Sequence, residues 1–385
     1  MDRTFNTFID NGMFIAAKLL NTIVDDLNID SIRKKQVIFS KYLLEGLEND
    51  KNIKSSAEKM FTHNSFLNNA LKKGTERIDK INMKMNLLLK NYDSQEKEIC
   101  ILCGKKSSVK DVQATRSDVP AITSNTFLNY SNNLQYVNVC PECMFFTILS
   151  LFNTVNAGYL IQLNSDSVDV MEEWTNYKMD IFEYPEKPLG TYEYIKLIIK
   201  HITNTVPNVS HKYLCFTLFC NLGQKEYYKK VFISAFSMNL LYKFKENNLL
   251  NEFLEIYPLW ILRYSYADFL DKIISFTLNN FNKLTNRKEL ISIMVNNLSD
   301  LEESTDILIS KIANKLLTIP KVLEHIKKVN NYIDFIDLLT RWQLIYKSTN
   351  DSTLFDNMDE YNALINSKKW RYIKNKLITQ LIILT

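Results

Sequence analysis

Apolar positions recur at helical spacing over much of the chain. Ile15, Leu19, Ile23 and Leu27 fall four apart and predict one helix with an apolar stripe. Val37, Leu44 and Leu47 predict a second helix, and Ile78, Ile81, Met85 and Leu88 a third over 77–91. The run "MFFTILSLFNT" after Cys143 is apolar all round, the pattern of a buried helix. In the middle of the chain the period changes. "AGYLIQLNSD" reads as a strand, "VDVMEEWTNYKM" as a helix, and "YLCFTLFCNLGQKEYYKKVFISAF" as two strands about a turn at Asn221–Gly223. From about residue 237 the helical spacing returns and runs to the end. There Ser299 and Glu302 have the spacing of a capping box ahead of "DILISKIANKLL", and Pro320 closes that helix. A last helix aligns Trp370, Ile373, Leu377 and Leu381 on one face. The pattern predicts a mostly helical α+β protein. Residues 1–240 form an α+β domain and residues 241–385 an all-α helical bundle; no solenoid period is visible.

Composition agrees with this picture. Seven Gly and seven Pro in 385 residues favour long helices over an all-β design. Hydrophobic residues make up 46%, enough for a large core. The formal net charge of +4 permits nucleic-acid binding without arguing for it. The first residues carry no apolar core of an export signal, and no apolar run nears the roughly 18 residues of a membrane span. The expectation is a cytoplasmic protein without a membrane partner, in which thiols stay reduced.

The cysteines change the picture most. Four of the six form two C-x-x-C pairs: Cys100 with Cys103 in "EICILCGKKSS", and Cys140 with Cys143 in "YVNVCPECMFF". Two intervening residues let both thiolates of a tight turn reach one ion, and two such turns supply the four corners of a tetrahedral Zn²⁺ site. Gly104 can take the positive φ that closes the first turn, and Pro141 stiffens the second. The predicted zinc module spans about 95–150. Its polar insert, broken by Pro120, reads as loops and short strands. Four cysteines leave no open position for a catalytic zinc. The zinc-deaminase signature needs H-x-E and P-C-x-x-C; the histidines here sit in "THNS", "KHIT", "SHKY" and "EHIK", and the proline lies inside the pair. A redox dithiol would need only one pair. Cys215 and Cys220 read as small buried hydrophobes on a strand.

No phosphate loop, dinucleotide fingerprint, nucleophile elbow or H-E-x-x-H motif occurs, so an enzyme is not expected. Lys105, Lys106, Lys110 and Arg116 lie by the first pair or in the insert, where zinc knuckles often face phosphates; a solvated surface explains them equally well. Lys368, Arg371, Lys374 and Lys376 around the last helix read as a solvated face, and "SIRKKQ" and "LKKGTER" as weaker versions of the same.

The segments "FNTFIDNGMFIAAKLL", with Phe8, Asp10 and Gly12, then "CILCGKK", then "CPECMFFTILSLFN", resemble the CXXC-CXXC subfamily of large subunits of type I-B CRISPR effector (Cascade) complexes. The likeness is best over residues 1–155. It implies a non-catalytic subunit that binds near the 5′ handle of the guide RNA. Such a subunit helps recognise the short motif beside the target in double-stranded DNA, stabilises the opened duplex and recruits a helicase-nuclease for antiviral defence. Partners would then be the guide RNA, the target DNA, the backbone and other Cascade subunits and that nuclease. In guided recognition, base pairing reads sequence while protein reads a short motif and the backbones. Asn125 and Asn129 in the insert join Lys105, Lys106, Lys110 and Arg116 as candidate nucleic-acid contacts, because amides can bond base edges. The alternative is a zinc-ribbon module, unrelated to CRISPR, that binds RNA or another protein. A dithiol oxidoreductase is a third class.

Overall fold

Asn6 starts the first helix. Its side chain accepts hydrogen bonds from the Phe8 and Ile9 amides, at 3.0 and 3.4 Å, and so caps α1 (Thr7–Leu20). Asn21, left-handed at φ 54°, ends it. The predicted stripe therefore does not belong to one helix. Ile15 is buried in α1, Ile23 lies past its end and is exposed, and Leu27 is buried from a separate turn. The computed structural model describes residues 3–68, 75–90, 97–108, 114–118, 120, 136–221, 226–263, 266–280, 287–297, 303–366 and 368–385. These are mostly helical, with a small antiparallel sheet, and divide into two compact units, Met1–Met238 and Asn239–Thr385.

In the first unit α1 is followed by α2 (Ile29–Lys34), α3 (Gln36–Asn49), α4 (Lys51–Met60) and α5 (Thr75–Leu89). The second predicted helix is α3, but its buried face is Phe39, Leu43 and Leu47; Val37 points to solvent. The third is α5, which buries Ile81, Met85 and Leu88 as expected. A short hairpin, β1 (Lys97–Ile99) with β2 (Lys106–Ser108), precedes α6 (Pro141–Leu149). Four further strands, β3 (Val155–Ala157), β4 (Tyr159–Asn164), β5 (Leu214–Asn221) and β6 (Glu226–Ile233), form an antiparallel sheet in sequence order. α7 (Val168–Asn176) and α8 (Thr191–Thr205) fill the connection from β4 to β5. Cys215 pairs with Phe232 and Cys220 with Tyr227 in the β5–β6 ladder. Cys220 is buried; Cys215 is half-buried.

α1 organises this unit. Phe14, Phe39, Phe145, Phe146, Met85 and Leu88 share one core with the cysteine segment. Among these apolar groups runs a buried polar chain. Asn11 donates from Nδ2 to the Leu163 carbonyl of β4 at 2.8 Å and accepts from Asn153 at 2.8 Å; Asn153 also donates to Thr175 of α7 at 2.9 Å. Buried amides of this kind must be paired, so the chain fixes how α1, β4 and α7 meet. Arg33, in a stretch expected to be plain surface, donates to the last carbonyl of α5, Leu89, at 3.0 Å and sits 3.7 Å from Glu142 of α6.

The division between units falls inside α9 (Ala235–Glu246). The second unit continues with α10 (Leu250–Ile256), α11 (Tyr266–Asn279), α12 (Arg287–Asn297), α13 (Glu303–Leu316), α14 (Val322–Lys327), α15 (Tyr332–Asn350), α16 (Met358–Leu364) and α17 (Trp370–Leu384). The predicted capping pair, Ser299 and Glu302, lies outside the described residues. α17 is central. It buries Ile373, Leu377 and Leu381 as the pattern predicts, and Asn375, Lys376 and Thr379 as well. Lys376 therefore does not belong to a solvated face: it is 6% exposed and paired with Asp306. Among the described residues no helix is long and apolar enough to cross a membrane.

Candidate metal centre

The hairpin β1–β2 brings the first cysteine pair onto its turn. Cys100 follows β1, its amide donates to the Lys105 carbonyl at 3.0 Å, and the Gly104 amide donates to the Cys100 carbonyl at 2.8 Å. Gly104 has φ 71°, the left-handed conformation in which a side chain would be strained. The second pair sits on a helix start. Cys140 is the N-cap of α6, Pro141 occupies the first helical position, and Cys143 lies in the first turn. The two halves are stitched by backbone: the Ile101 amide donates to the Asn138 carbonyl at 2.9 Å, and Ala114 pairs with Val137 as an isolated bridge.

This geometry brings all four sulfurs together. The Sγ atoms of Cys100, Cys103, Cys140 and Cys143 lie within 4.8 Å of one another. Cys103 and Cys140 are 3.8 Å apart. Two sulfurs each about 2.3 Å from a tetrahedral ion are separated by about 3.8 Å, so the spacing fits one ion. Cys100, Cys140 and Cys143 are buried and Cys103 is half-buried. The Cys140 amide donates to Cys100 Sγ at 3.2 Å, a hydrogen bond that favours thiolate over thiol. Hydrogen bonds from the side chains of Cys140 and Cys143 hold Cys100 well below the ordinary thiol range. Cys140 is pushed up, first by its hydrogen bond to Cys100, and Cys143 by its bonds to Cys100 and Cys140 together with burial. One thiolate is thus favoured in the protein alone, and further ones repel it. A cation among the four removes that repulsion. The site can hold a metal ion.

α1 meets α6, the helix that begins with Cys140. At Gly12 the two backbones approach so closely that an added Cβ would fall 1.8 Å from the Phe146 carbonyl oxygen. Asp10, two residues before, is wholly buried. It takes hydrogen bonds from the Thr4 amide and hydroxyl at 3.0 Å and faces Arg3 Nε at 3.3 Å. Arg3 also donates to the Ser165 and Asp166 carbonyls beyond β4. Phe8 packs edge-on against Phe219 of β5, ring centroids 5.0 Å apart. All three positions of the opening motif are packing positions.

The candidate nucleic-acid contacts divide. Lys105 and Lys106 are exposed beside the cysteine cluster. Arg116 is half-buried in a turn that Asp118 ties to α5 through Lys84 at 2.9 Å. Lys110, Asn125 and Asn129 lie outside the described residues. Sequence reasoning missed Asn138, whose carbonyl joins the two halves; a backbone hydrogen bond leaves no side-chain signal. Compared with known protein families, with curated proteins and with solved structures, the chain matches none.

Proposed function

We propose that the chain is a non-catalytic large subunit of a CRISPR RNA-guided surveillance complex, and that its four cysteines hold one structural Zn²⁺. One observation carries the reading. The segments on which the resemblance rests, far apart in sequence, pack as one body: Gly12 lies on the backbone of Phe146, and Phe146 belongs to the helix that Cys140 starts. Soft sulfur donors at tetrahedral spacing favour zinc over harder cations. The ion would fix the β1–β2 turn to the start of α6 and present Lys105 and Lys106 beside it.

In this role the protein performs no bond-making step. It binds the 5′ handle of the guide RNA, helps read the target-adjacent motif, holds the opened DNA duplex and recruits the helicase-nuclease. The test is affinity purification of the tagged chain from the cells that make it. A short RNA with a constant 5′ sequence should come with it, together with a backbone subunit in several-fold excess. Recovery of the chain with neither would overturn the reading and leave a four-cysteine interaction module. Elemental analysis decides the metal separately, with one zinc per chain expected; well-folded, metal-free protein would exclude it.

A further inference from the structure

We propose that the first unit holds a binding site for a small primary amine, in a cavity of about 370 Å³ between the end of α1 and the second half of α7. Phe14, Ala17 and Ile23 give the cavity an apolar wall. Glu172 of α7 brings a carboxylate, and Asn21 and Thr22, just past the end of α1, bring polar side chains. Apolar surface with a few convergent polar groups is the general make-up of a small-molecule site.

The charge of this cavity is one-sided. Glu172 is half-buried, and among the described residues no cation or hydrogen-bond donor meets its carboxylate. Burial raises its pKa above the ordinary carboxylate value, and the charges of Asp169 and Asp25 push it the same way. Lys18 also lines the cavity, but its ammonium is already engaged. It donates to Asp180 Oδ2 and to Asn176 Oδ1, each at 2.6 Å. α1 ends at the cavity, so the negative end of its dipole adds to the field of Glu172. The uncompensated charge therefore favours a cation.

The lining separates an amine from a metal ion. Calcium and magnesium take six or more oxygen ligands. An ammonium needs acceptors for its three donors, and Glu172, Asn21 and Thr22 supply them. An aliphatic stem on that ammonium also gives the apolar wall a use. It would cover Ile23, which is otherwise 55% exposed, whereas a bare metal ion would leave that side chain in water. The inference goes beyond the CRISPR reading and does not depend on it.

The full-length protein is titrated calorimetrically with hexylamine, spermidine, hexanol and Mg²⁺. Wild type is compared with Glu172→Gln, which keeps the shape and removes the charge. The control is Glu186→Gln, which removes an exposed carboxylate that does not line the cavity. Glu172→Gln should weaken hexylamine binding by about tenfold or more, with Glu186→Gln within about twofold of wild type. Hexanol, which has the stem without the charge, should bind wild type at least about tenfold more weakly than hexylamine. If the source is a polyamine, spermidine binds more tightly than hexylamine and displaces it, its further ammonium groups drawn by Asp25 and Asp169. If the source is a monoamine, hexylamine binds at least as tightly. Failure of wild type to bind either amine, equal losses in both Gln variants, hexanol binding as tightly as hexylamine, or Mg²⁺ displacing hexylamine at equal concentration would each overturn the proposal. Should Glu172→Gln melt early, Ile23→Ser at the exposed rim gives a second readout. Hexylamine should then weaken by about fourfold for each methylene left uncovered, and an unchanged affinity would overturn the proposal as well.

Discussion

At the scale of the residue, two positions carry more than their sequence signal announces. Gly12 is one of seven glycines and sits inside a helix, where glycine costs about 1 kcal/mol relative to alanine. It is tolerated because α1 and α6 touch backbone to backbone there. Gly12→Ala should destabilise the first unit by about 3 kcal/mol or more, since overpacking against backbone has no rotamer escape. Urea unfolding followed at Trp174 measures this; an unchanged midpoint would mean the helices separate freely. Lys178 is the other position. It lies in a π-turn after α7, 9% exposed, against the rings of Phe182 and Tyr184 at 5.3 and 5.7 Å. Burial lowers its pKa to about 8. In the unfolded chain the same amine keeps its proton to about pH 10.4. Between these values the unfolded state binds more protons, so stability rises with pH across about 8 to 10. Lys178→Met removes the charge and keeps the stem. It should raise the melting point at pH 7 by about 2–4 °C, for about 1 kcal/mol gained, and abolish the wild type's relative gain above pH 8. Equal pH profiles for the two proteins would refute the buried charge.

At the scale of the element, the four-cysteine cluster joins a hairpin too short to stand alone to a helix start. A two-stranded ribbon of three-residue strands is marginal without help. If the cluster holds the proposed zinc, Cys100→Ser or Cys143→Ser should release it and expose the core beneath α6, as should a strong chelator. Cys215→Ser should leave metal content unchanged. Thiol titration and elemental analysis of the variants distinguish these outcomes; retention of the full metal content after loss of a ligand would sink the four-sulfur site. If the proposed function holds and the turn meets DNA, Lys105→Ala/Lys106→Ala should lower the salt slope of DNA binding by about 0.9 for each duplex phosphate that the two lysines neutralise. An unchanged slope would leave the lysines as surface. The cysteine cluster was legible because a C-x-x-C spacing encodes a local turn whatever surrounds it. Helix faces were less legible. The four-residue rhythm of Ile15, Leu19, Ile23 and Leu27 runs straight through Asn21, and only the left-handed cap there breaks it. Val37 matched the period yet faces water, because the buried face is that of Phe39, Leu43 and Leu47 and Val37 lies on the opposite side of the helix. Lys376 reads as surface by type. Its burial depends on Asp306, on a different helix, a pairing that periodicity cannot express.

At the scale of the whole molecule, the chain comprises two compact units with different chemistry holding each. The first depends on its cysteine centre and on the buried amides around Asn11. The second has no cysteine. On its surface Lys311 reaches Asp356 and Glu360 at 2.5 Å, and Lys315 reaches Asp356 at 2.7 Å. These hydrogen bonds, from Lys311 first and then Lys315, hold the Asp356 carboxyl down to about 2, against 3.8 for an unperturbed one. A carboxylate with a lowered folded pKa adds stability above its unfolded value and loses it as pH falls through the folded one. The stabilisation from Asp356 should therefore fade between about pH 4 and pH 2, and solvent screening keeps it small. The reporters are already separated: Trp174 is in the first unit, and Trp260, Trp342 and Trp370 are in the second. Chelation should accordingly change the signal of Trp174 before that of the other three. Asp356→Asn should alter only the signal of the second unit: a small loss of stability at pH 7 that shrinks as pH falls from about 4 to 2. Single-tryptophan variants unfolded by urea at pH 7 and at pH 3, with and without chelator, measure all four combinations. One shared midpoint that moves equally under both treatments would show that the chain unfolds as a single cooperative body, with neither unit stabilised on its own account.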